Sequence, residues 1–360
     1  MLPHHARRTA HVGRTAHIGR TAPKPRSWRT SAPFLLAHLV PLLAFVTGVS
    51  RGALILAVVL YLSRMFFITA GYHRYFAHRS YRLRRIPQFV MALGGLTAVQ
   101  QGPLWWAAHH RDHHRYTDTE RDPHSPQQGF WWSHIGWITS GRFDETDYGA
   151  IADFAKFREL RWLNDHDWVG PVGLGLASFV IAGWSGLVVG FFGSTVLLWH
   201  ATFSVNSFAH LFGRRRYATT DSSRNNWVIA ALTLGEGWHN NHHHYPRSAR
   251  QGFRWWEIDV SFQILRVLSA LRVVRGLNEP TIAARAASRL VDGNPDLGLL
   301  RYHLSRAARL FEAVPSDTQP VQSSEPPGNQ LLELLESTAA KANAIVQAQR
   351  AARRRLGAGG

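Results

Sequence analysis

The sequence predicts an all-α fold: a polytopic membrane protein with four transmembrane helices in two hairpins and a helical cap. Three observations predict it. Four apolar segments each approach the roughly 20 residues that a helix needs to cross a bilayer core. Basic residues flank these segments almost entirely on one side. Three groups of histidines follow the segments on that same side, which favours a metal centre in the cap.

The apolar segments come in two pairs with minimal connections. Segments 31–50 and 52–72 are separated only by Arg51, and segments 167–183 and 186–206 are separated by two residues. So short a connection leaves room only for a tight outer turn, so each pair predicts a hairpin. Burial of all four segments in a large soluble core is the alternative.

Basic residues set the predicted orientation. They precede the first span between 7 and 29, follow the second between 74 and 85, and follow the fourth at 214–216. Only Arg51 lies in an outer turn. The positive-inside rule therefore puts both termini and the segment 73–166 on the cytoplasmic side of the cell membrane.

Composition divides the rest of the chain. An Arg-rich stretch with the repeat RTAHVG, RTAHIG predicts a disordered tail, and the last quarter of the chain reads as peripheral to the membrane. The predicted boundaries are 1–30 for the basic tail, 31–275 for the membrane domain, 276–314 for a peripheral helical segment, 315–330 for a linker, and 331–360 for a basic helix and tail.

Charge and cysteine content narrow the function classes. The chain has 360 residues, a formal net charge of +18 and no cysteine. The absence of cysteine excludes disulfides, zinc fingers and a built-in thiolate-held iron–sulfur cluster. The positive charge suits anionic lipid headgroups or phosphate-bearing substrates. Nucleic acid is not an expected partner, because apolar spans dominate the first two thirds of the chain.

Three histidine boxes carry the strongest chemical signal. The second and third have i, i+3, i+4 spacing, which puts their side chains on one face of a helix. The first has i, i+5 spacing, about 140° apart on an ideal helix, so its members would serve different metals or lie where a helix ends. The boxes are HRYFAH with His73 and His78, HRDHH with His110, His113 and His114, and HNNHH with His239, His242 and His243.

Eight imidazoles are too many for one ion and suit two. Imidazole binds iron, zinc, copper and nickel, so the ligand type alone does not choose the metal. One HxxHH motif recurs by accident in histidine-rich chains. Two of them with an HxxxxH motif, in this order around apolar hairpins, strongly favour a two-metal centre.

Longer motifs resemble the membrane fatty acid desaturases, specifically the stearoyl-CoA Δ9 branch. The resemblance runs from about Thr69 to Trp256, about half the chain. Its most specific stretches are TAGYHRYFAHRS at 69–80, DPHSPQQGFWWSHIGW at 122–137, NSFAH at 206–210 and GEGWHNNHH at 235–243. The resemblance implies two irons that use O₂ to insert a cis double bond, at the Δ9 position, into a long-chain acyl-CoA.

The resemblance also assigns individual residues. It implies a ninth histidine ligand at His210 and, one turn earlier, Asn206 holding a metal-bound water. It places Gln100, Trp106 and Thr202 where the acyl chain bends beside the metals. It places Tyr61 and Met65 at the closed end of the acyl tunnel, where the long Met65 side chain predicts palmitoyl over stearoyl substrate. Ordinary helix packing is the alternative for the last two residues.

The acyl carrier is less firmly implied. The family has a basic residue two positions before the second box, where this chain has Ala108, and an acid where it has His109. A basic pair after Trp137 is reduced here to Gly141 and Arg142, so Arg142 is the remaining candidate contact for CoA. Acyl-CoA is expected, and acyl carrier protein or lipid-linked chains stay open.

Carboxylates near the boxes are candidates for holding ligand imidazoles. Asp112, Asp118, Asp122 and Glu236 could accept the remaining ring N–H groups, or could be solvated or capping residues. His124 and His134 fit supporting positions. Electrons must come from a separate ferredoxin, cytochrome or NADPH-dependent reductase, because the chain has neither cysteine nor a flavin-type glycine fingerprint.

Two other functions share part of the pattern. A histidine-rich di-iron hydroxylase of alkanes, sterols or carotenoids would have the same boxes. A polytopic metal-binding or transport protein should carry ionisable residues inside its spans. The predicted spans hold few, namely His38, Arg64 and His200, which argues against transport.

Overall fold

The computed structural model describes residues 28–290 and 296–312, with side chains for 31–290 and 296–307. The predicted linker 315–330 and the predicted helix 331–360 lie outside the described residues, and so does the predicted basic tail except for residues 28–30. The described part is mostly helical, as expected. Within this part there is one two-stranded sheet, in which Arg82–Leu83 pairs antiparallel with Val274–Arg275. The first strand follows the helix Phe67–Ala77 and the second follows the helix Val260–Ala270, so their pairing joins the ends of these two helices.

The helices follow one another with short connections. Those of the first half are Trp28–Leu39, Val40–Leu43 (3₁₀), Ala44–Thr47, Arg51–Phe66, Phe67–Ala77 (π), Arg85–Leu96, Pro103–Tyr116, Pro126–Gln128 (3₁₀), Trp132–Gly136 (π), Trp137–Thr139, Ala152–Ala155 and Arg158–Asp165. Those of the second half are Val169–Ser185, Gly186–Gly193 (π), Ser194–Asn206, Phe208–Leu211, Trp227–Leu232, His239–His244, Val260–Ala270, Ile282–Ala286 and Leu297–Glu312.

Two described helical stretches are long and apolar enough to cross a membrane, Arg51–Ala77 and Val169–Leu211. The expected first span is shorter, an apolar stretch over Ser31–Thr47. Proline explains its irregularity: Pro41 opens a 3₁₀ turn in its middle, because a proline removes a backbone donor from a helix. By length and composition the structure thus supports two spans, and the four-span arrangement stays a proposal.

The stretch Val169–Leu211 folds back on itself. Ala182 and Gly183 leave helical geometry, with φ of −140° and +59°. A Cβ on Gly175 would lie 3.7 Å from the Phe191 ring, whereas a straight helix would separate the two residues by about 24 Å. This is the predicted second hairpin, with its turn at 182–183 instead of 184–185, because Gly183 is the residue that tolerates a positive φ.

A buried arginine joins the two apolar stretches. The Arg64 guanidinium donates to Thr195 Oγ1 at 2.7 Å, to Ser194 Oγ at 2.5 Å and to the Thr97 carbonyl at 3.2 Å. It is 1% exposed. A charged group in an apolar setting is costly unless its donors are satisfied, and these contacts satisfy them. Arg64 therefore fixes the helices beside which the histidine boxes lie.

The cap packs around the end of the first long stretch. Phe67–Ala77 is almost wholly buried, with Tyr72 and Phe76 inside a core that includes Leu104 and Ala107 of the helix Pro103–Tyr116. Gly237 sits at a close approach, because a Cβ there would lie 2.1 Å from the backbone nitrogen of Ala230. This contact fixes where the third box begins.

Candidate metal centre

All nine histidines predicted as ligands converge in the cap. They form two groups, in each of which one ring nitrogen per residue lies within 4.8 Å of all the others. We call them the five-histidine cluster and the four-histidine cluster. The first contains His73, His78, His110, His114 and His242, and the second contains His113, His210, His239 and His243.

Each HxxHH box is shared between the clusters. On the helix Pro103–Tyr116, His110 and His114 are one turn apart and face the five-histidine cluster, while His113 points to the other. On the helix His239–His244 the pattern is reversed, since His239 and His243 face the four-histidine cluster. Two crossing helices with this spacing thus serve two adjacent sites.

The first box departs from one of the two expectations. His73 and His78 belong to the same cluster, so the idea that they serve different metals is wrong. The helix ends at this point with a wider turn, in which the His78 N–H donates to the His73 carbonyl at 3.1 Å. In such a π turn residues five apart share one side. His78 is the C-cap, as the second expectation required.

The ring nitrogens have the spacing of ligands around a shared cation. His242 Nε2 lies 3.1 Å from His73 Nε2 and 2.9 Å from His114 Nε2. One ring nitrogen carries a single hydrogen or a single lone pair, so it cannot make two good hydrogen bonds there. Two nitrogens each about 2.0–2.1 Å from one metal, at roughly right to tetrahedral angles, stand about 3 Å apart.

Three further pairs of Nε2 atoms show a similar spacing. His78 and His110 approach through Nε2 at 2.9 Å, and His210 and His239 at 3.0 Å. His113 and His243 approach at 3.4 Å. The donor set is therefore all imidazole, in two groups of five and four, and it fits two transition-metal ions.

Carboxylates lie behind the rings, on the Nδ1 side. Such partners fix the tautomer and direct Nε2 at a metal. Of the four candidates, Asp118, Asp122 and Glu236 fill this position, whereas Asp112 faces Arg115 at 3.8 Å. The contacts are His113 Nδ1 to Asp122 at 3.0 Å, His73 Nδ1 to Glu236 at 2.5 Å, His210 Nδ1 to Asp118 at 3.4 Å and to Ser222 Oγ at 3.0 Å, and His243 Nδ1 to Asp221 at 2.9 Å.

Asp221 is the residue that sequence reasoning missed. It lies in the segment TTDSS, which has no periodicity and no histidine neighbour in sequence. Its carboxylate is held by Ser223 N and Thr219 Oγ1 and faces His243. The only signal was its position between two motifs, so nothing in the local pattern marked it.

The electrostatics keep three imidazoles of the five-histidine cluster neutral. Burial, reinforced by the charges of neighbouring histidines, puts the pKa of His110, His114 and His242 well below the usual value. Burial acts to raise the pKa of Glu236, but His73 and Arg74 outweigh it and hold that pKa at about 2. Neutral rings offer lone pairs, and the ionised Glu236 carboxylate behind His73 would compensate a bound cation.

The expected water-holding and bend residues lie at the inner edge of the clusters. Asn206 and Thr202 line a small cavity of about 40 Å³ with His73, His110 and His239. Gln100 Nε2 donates to Thr202 Oγ1 at 3.2 Å, and Trp106 Nε1 lies 3.4 Å from Gln100 Oε1. The Trp106 ring stacks on His110, with ring centres 5.0 Å apart.

The two tunnel-end residues behave differently. Met65 is fully buried and lines the same cavity as Asn206. Tyr61 packs against the core from outside, donates to the Leu232 carbonyl at 2.8 Å, and is not among the lining residues. Arg142 is exposed beside Phe143, at 5.3 Å from its ring centre.

The remaining histidines near the boxes belong to neither of the two clusters. His109 Nδ1 pairs with the Trp105 carbonyl, and His244 stacks on Tyr217. His124 packs on His113, with ring centres 4.2 Å apart, as a supporting residue would. His134 bonds to Ser207 Oγ and to His200 instead.

A long apolar groove reaches the bend residues from the membrane side. Its volume is about 770 Å³, and it runs along the second hairpin from Asp167 to Trp184. Trp106 and Gln100 form part of its wall, and both also line the cavity at His110. Its apolar walls include Pro33, Phe34, Trp168, Val172, Leu176, Phe179, Leu187 and Phe191. We call it the apolar groove.

Comparison with known proteins agrees with this site. Residues 50–268 match the family profile described as fatty acid desaturase. The chain is 41% identical, over 58% of its length and 75% of the relative, to an sn-2 palmitoyl-lipid 9-desaturase of Nostoc sp.. It is 38% identical to an sn-1 stearoyl-lipid 9-desaturase of Anabaena variabilis, over 68% of its length and 91% of the relative.

A third relative has another carrier and position in its name. The chain is 39% identical to an acyl-CoA 5-desaturase of Anemone leveillei, over 60% of its own length and 68% of the relative. The matched region contains all nine clustered histidines and both long apolar stretches. The chain is a membrane protein and an oxidoreductase, and it belongs to the fatty acid desaturase family.

Proposed function

We propose that the chain is an O₂-dependent di-iron desaturase that introduces a cis Δ9 double bond into a saturated long-chain acyl group. The two histidine clusters carry the proposal, since they provide two all-imidazole metal sites side by side. The names of two relatives, both lipid 9-desaturases, support the position of the double bond.

The nine histidines would hold two iron ions, with Asn206 contributing through a water. Removing hydrogen from an unactivated methylene needs an oxidant stronger than any side chain. Iron, O₂ and two external electrons supply that oxidising power when the metals are bound. The protein positions the acyl chain and keeps bulk water away, which the buried cap with Tyr72 and Leu104 favours.

Gln100, Trp106 and Thr202 would bend the acyl chain beside the metals. The Gln100–Thr202 hydrogen bond gives a rigid polar turn, and the Trp106 indole supplies a flat apolar wall stacked on His110. A chain held against this wall presents one pair of adjacent methylenes to the clusters. A bend at that pair is the shape that a cis alkene requires.

The apolar groove favours a membrane lipid as the acyl carrier. Its described lining contains no lysine or arginine and includes the carboxylate of Asp167, so it provides no positive charge for the phosphates of CoA. Val172 and Leu176 are exposed beside it, at the surface that would face acyl chains of the bilayer. In a glycerolipid, one chain would enter past Trp106 and the other would lie in the groove.

Acyl-CoA is the second candidate, supported by the acyl-CoA 5-desaturase among the relatives and by the exposed Arg142 beside the cap. Both candidates need an external electron donor: a ferredoxin, a cytochrome or an NADPH-dependent reductase. We propose that the chain crosses the cell membrane four times with both termini cytoplasmic, as the arginine distribution predicts. The electron donor would then dock on the cytoplasmic side.

Product analysis tests the reaction and the carrier together. The purified chain, loaded with iron and given reduced ferredoxin and O₂, would receive distearoyl phosphatidylglycerol in nanodiscs or stearoyl-CoA. Mass spectrometry should find lipid that has lost two hydrogens, with the double bond at Δ9. A product that has gained one oxygen would instead identify a hydroxylase, and turnover of stearoyl-CoA alone would refute the lipid carrier.

A further inference from the structure

Three arginines converge on a pocket away from the metal clusters. Arg254, Arg285 and Arg289 line a cavity of about 400 Å³ whose floor is Tyr217 and Phe253. We call it the arginine pocket. Among the residues that the structure describes, no carboxylate forms an ion pair with any of the three. Like charges held together without a counter-ion repel, so this arrangement is most favourable when an anion lies between them.

Glu257, a carboxylate near the pocket, is already paired. Glu257 Oε1 pairs with Arg216 at 2.6 Å, and Glu257 Oε2 accepts hydrogen bonds from Asn241 Nδ2 and from the backbone of Phe253. The pKa of Arg216 is lowered by its own burial first, with Arg254 and Arg289 adding to the effect. The pocket therefore keeps a net positive charge beyond this ion pair.

The rim of the pocket is apolar and exposed. Trp255 is 86% exposed, Ile282 is 82% exposed and Trp256 is 47% exposed. Arg254 also lies over the Trp256 ring, at 4.8 Å from its centre. Tryptophans with arginines are typical of the level where headgroups meet acyl chains. A soluble anion would not explain so much exposed apolar surface around a cationic pocket.

The backbone makes this a built site. Ala218 N donates to the Ser288 carbonyl and Leu290 N to the Arg216 carbonyl, which holds Arg289 beside Tyr217. The Tyr217 ring stacks face to face on His244, with ring centres 3.9 Å apart. These bonds between the segments 216–218 and 284–290 thus hold the backbone that carries Arg285 and Arg289 beside Tyr217, while Arg254 comes from a separate segment.

We infer that the arginine pocket binds the phosphate of an anionic membrane lipid. The guanidinium groups would bind its oxygens, and Trp255 and Ile282 would contact its glycerol and upper acyl chains. The pocket also borders the third histidine box. Asn240 Oδ1 accepts from the backbone nitrogens of Arg216 and Tyr217, so a bound lipid would stabilise the segment that packs against His239 and His242.

Lipid binding by the full-length protein in detergent tests the inference without any measurement of turnover. Phosphatidylglycerol, phosphatidylcholine or inorganic phosphate would be titrated, with bound lipid counted by native mass spectrometry and stability followed by thermal unfolding. We expect retention of phosphatidylglycerol and a rise in unfolding temperature. The variant Arg254→Gln/Arg289→Gln should bind it roughly tenfold more weakly. Arg158→Gln, at an exposed arginine of another helix, should bind like wild type.

Three results would overturn the inference. One is equal affinity for phosphatidylcholine and phosphatidylglycerol. Another is unchanged affinity in the double variant. The third is inorganic phosphate binding as tightly as the lipid, which would make the ligand a free phosphate. If the double variant does not fold, the exposed Arg289→Glu substitution alone gives the same comparison, because it inverts one charge without disturbing a described hydrogen bond of its side chain.

Discussion

His73 and His78 are five residues apart and their rings meet edge to face, with centres 4.8 Å apart. The wide turn at the end of Phe67–Ala77 brings them together, with the His78 N–H bonded to the His73 carbonyl. His78 also lies 2.9 Å from His110 through Nε2. The first box thus belongs to one metal site, and the loss of His78 should affect that site alone.

His78→Ala should lower bound iron from about two ions per chain to about one. Activity should fall at least about 100-fold, because a lost ligand removes more than an outer-shell partner does. Metal analysis and turnover on the same preparation measure both. His166→Ala is the control, since His166 is partly exposed, bonds to the Trp162 carbonyl, stacks on the Trp162 ring and belongs to neither cluster. Two tightly held irons with full activity in His78→Ala would contradict the assignment.

Asp221→Asn should weaken metal binding by the four-histidine cluster specifically. Its carboxylate is 2.9 Å from His243 Nδ1, and burial, which acts to raise its pKa, is outweighed by that contact, so the pKa is lowered. An asparagine amide at this position carries no negative charge, and it holds the His243 tautomer less firmly than a carboxylate does. We expect about 10–100-fold lower metal affinity or activity. Iron titration followed by optical absorption would measure the affinity.

Asp112→Asn is the matched control for this substitution. Asp112 is half-buried on the helix of the second box, but it faces Arg115 and no ligand ring. It should retain iron and activity within about twofold, as surface substitutions usually do. Equal losses in the two variants would mean that the carboxylate behind His243 has no special role.

Local spacing made the site predictable where one helix carries it. The i, i+3, i+4 pattern alone predicted that the second and third boxes would each direct several rings to one place. It could not predict that each HxxHH box is divided between the two histidine clusters, because the division depends on how two helices cross. Asp221 escaped notice for the same reason: its neighbour His243 is 22 residues away and only tertiary folding brings them together.

The fold was predictable to a similar degree. The break between two apolar segments predicted the second hairpin with its turn at Trp184 and Ser185, within two residues of the turn at Ala182 and Gly183. The first span was predicted over 31–50, and Pro41 with the 3₁₀ turn over Val40–Leu43 interrupts the helix there. The apolar groove is lined by Phe34 and by the second hairpin, and no periodicity of a sequence reports the space left between packed helices.

Trp106→Ala should scatter the position of the double bond or abolish turnover. The indole stacks on His110 and approaches Gln100, so its loss removes the wall that fixes the bend. Fragmentation mass spectrometry of the products would locate the double bond. Trp131→Ala, at a 72% exposed position, is the control and should give unchanged product. Unchanged Δ9 product at an unchanged rate in Trp106→Ala would remove this role.

Met65→Ala should shift the preferred substrate from palmitoyl toward stearoyl chains. Met65 is fully buried beside Asn206 in a cavity of only about 40 Å³, so its side chain limits the space beyond the bend. Each methylene buried in an apolar pocket contributes roughly 0.8 kcal/mol, so two of them could change the ratio about tenfold. Competition between the two chain lengths on one carrier measures the ratio. Met91→Ala is the matched control, because Met91 is also buried but lies outside the lining of that cavity. Met91→Ala should cost stability and leave the ratio as in wild type, whereas an equal ratio in all three proteins would show that Met65 only packs helix against helix.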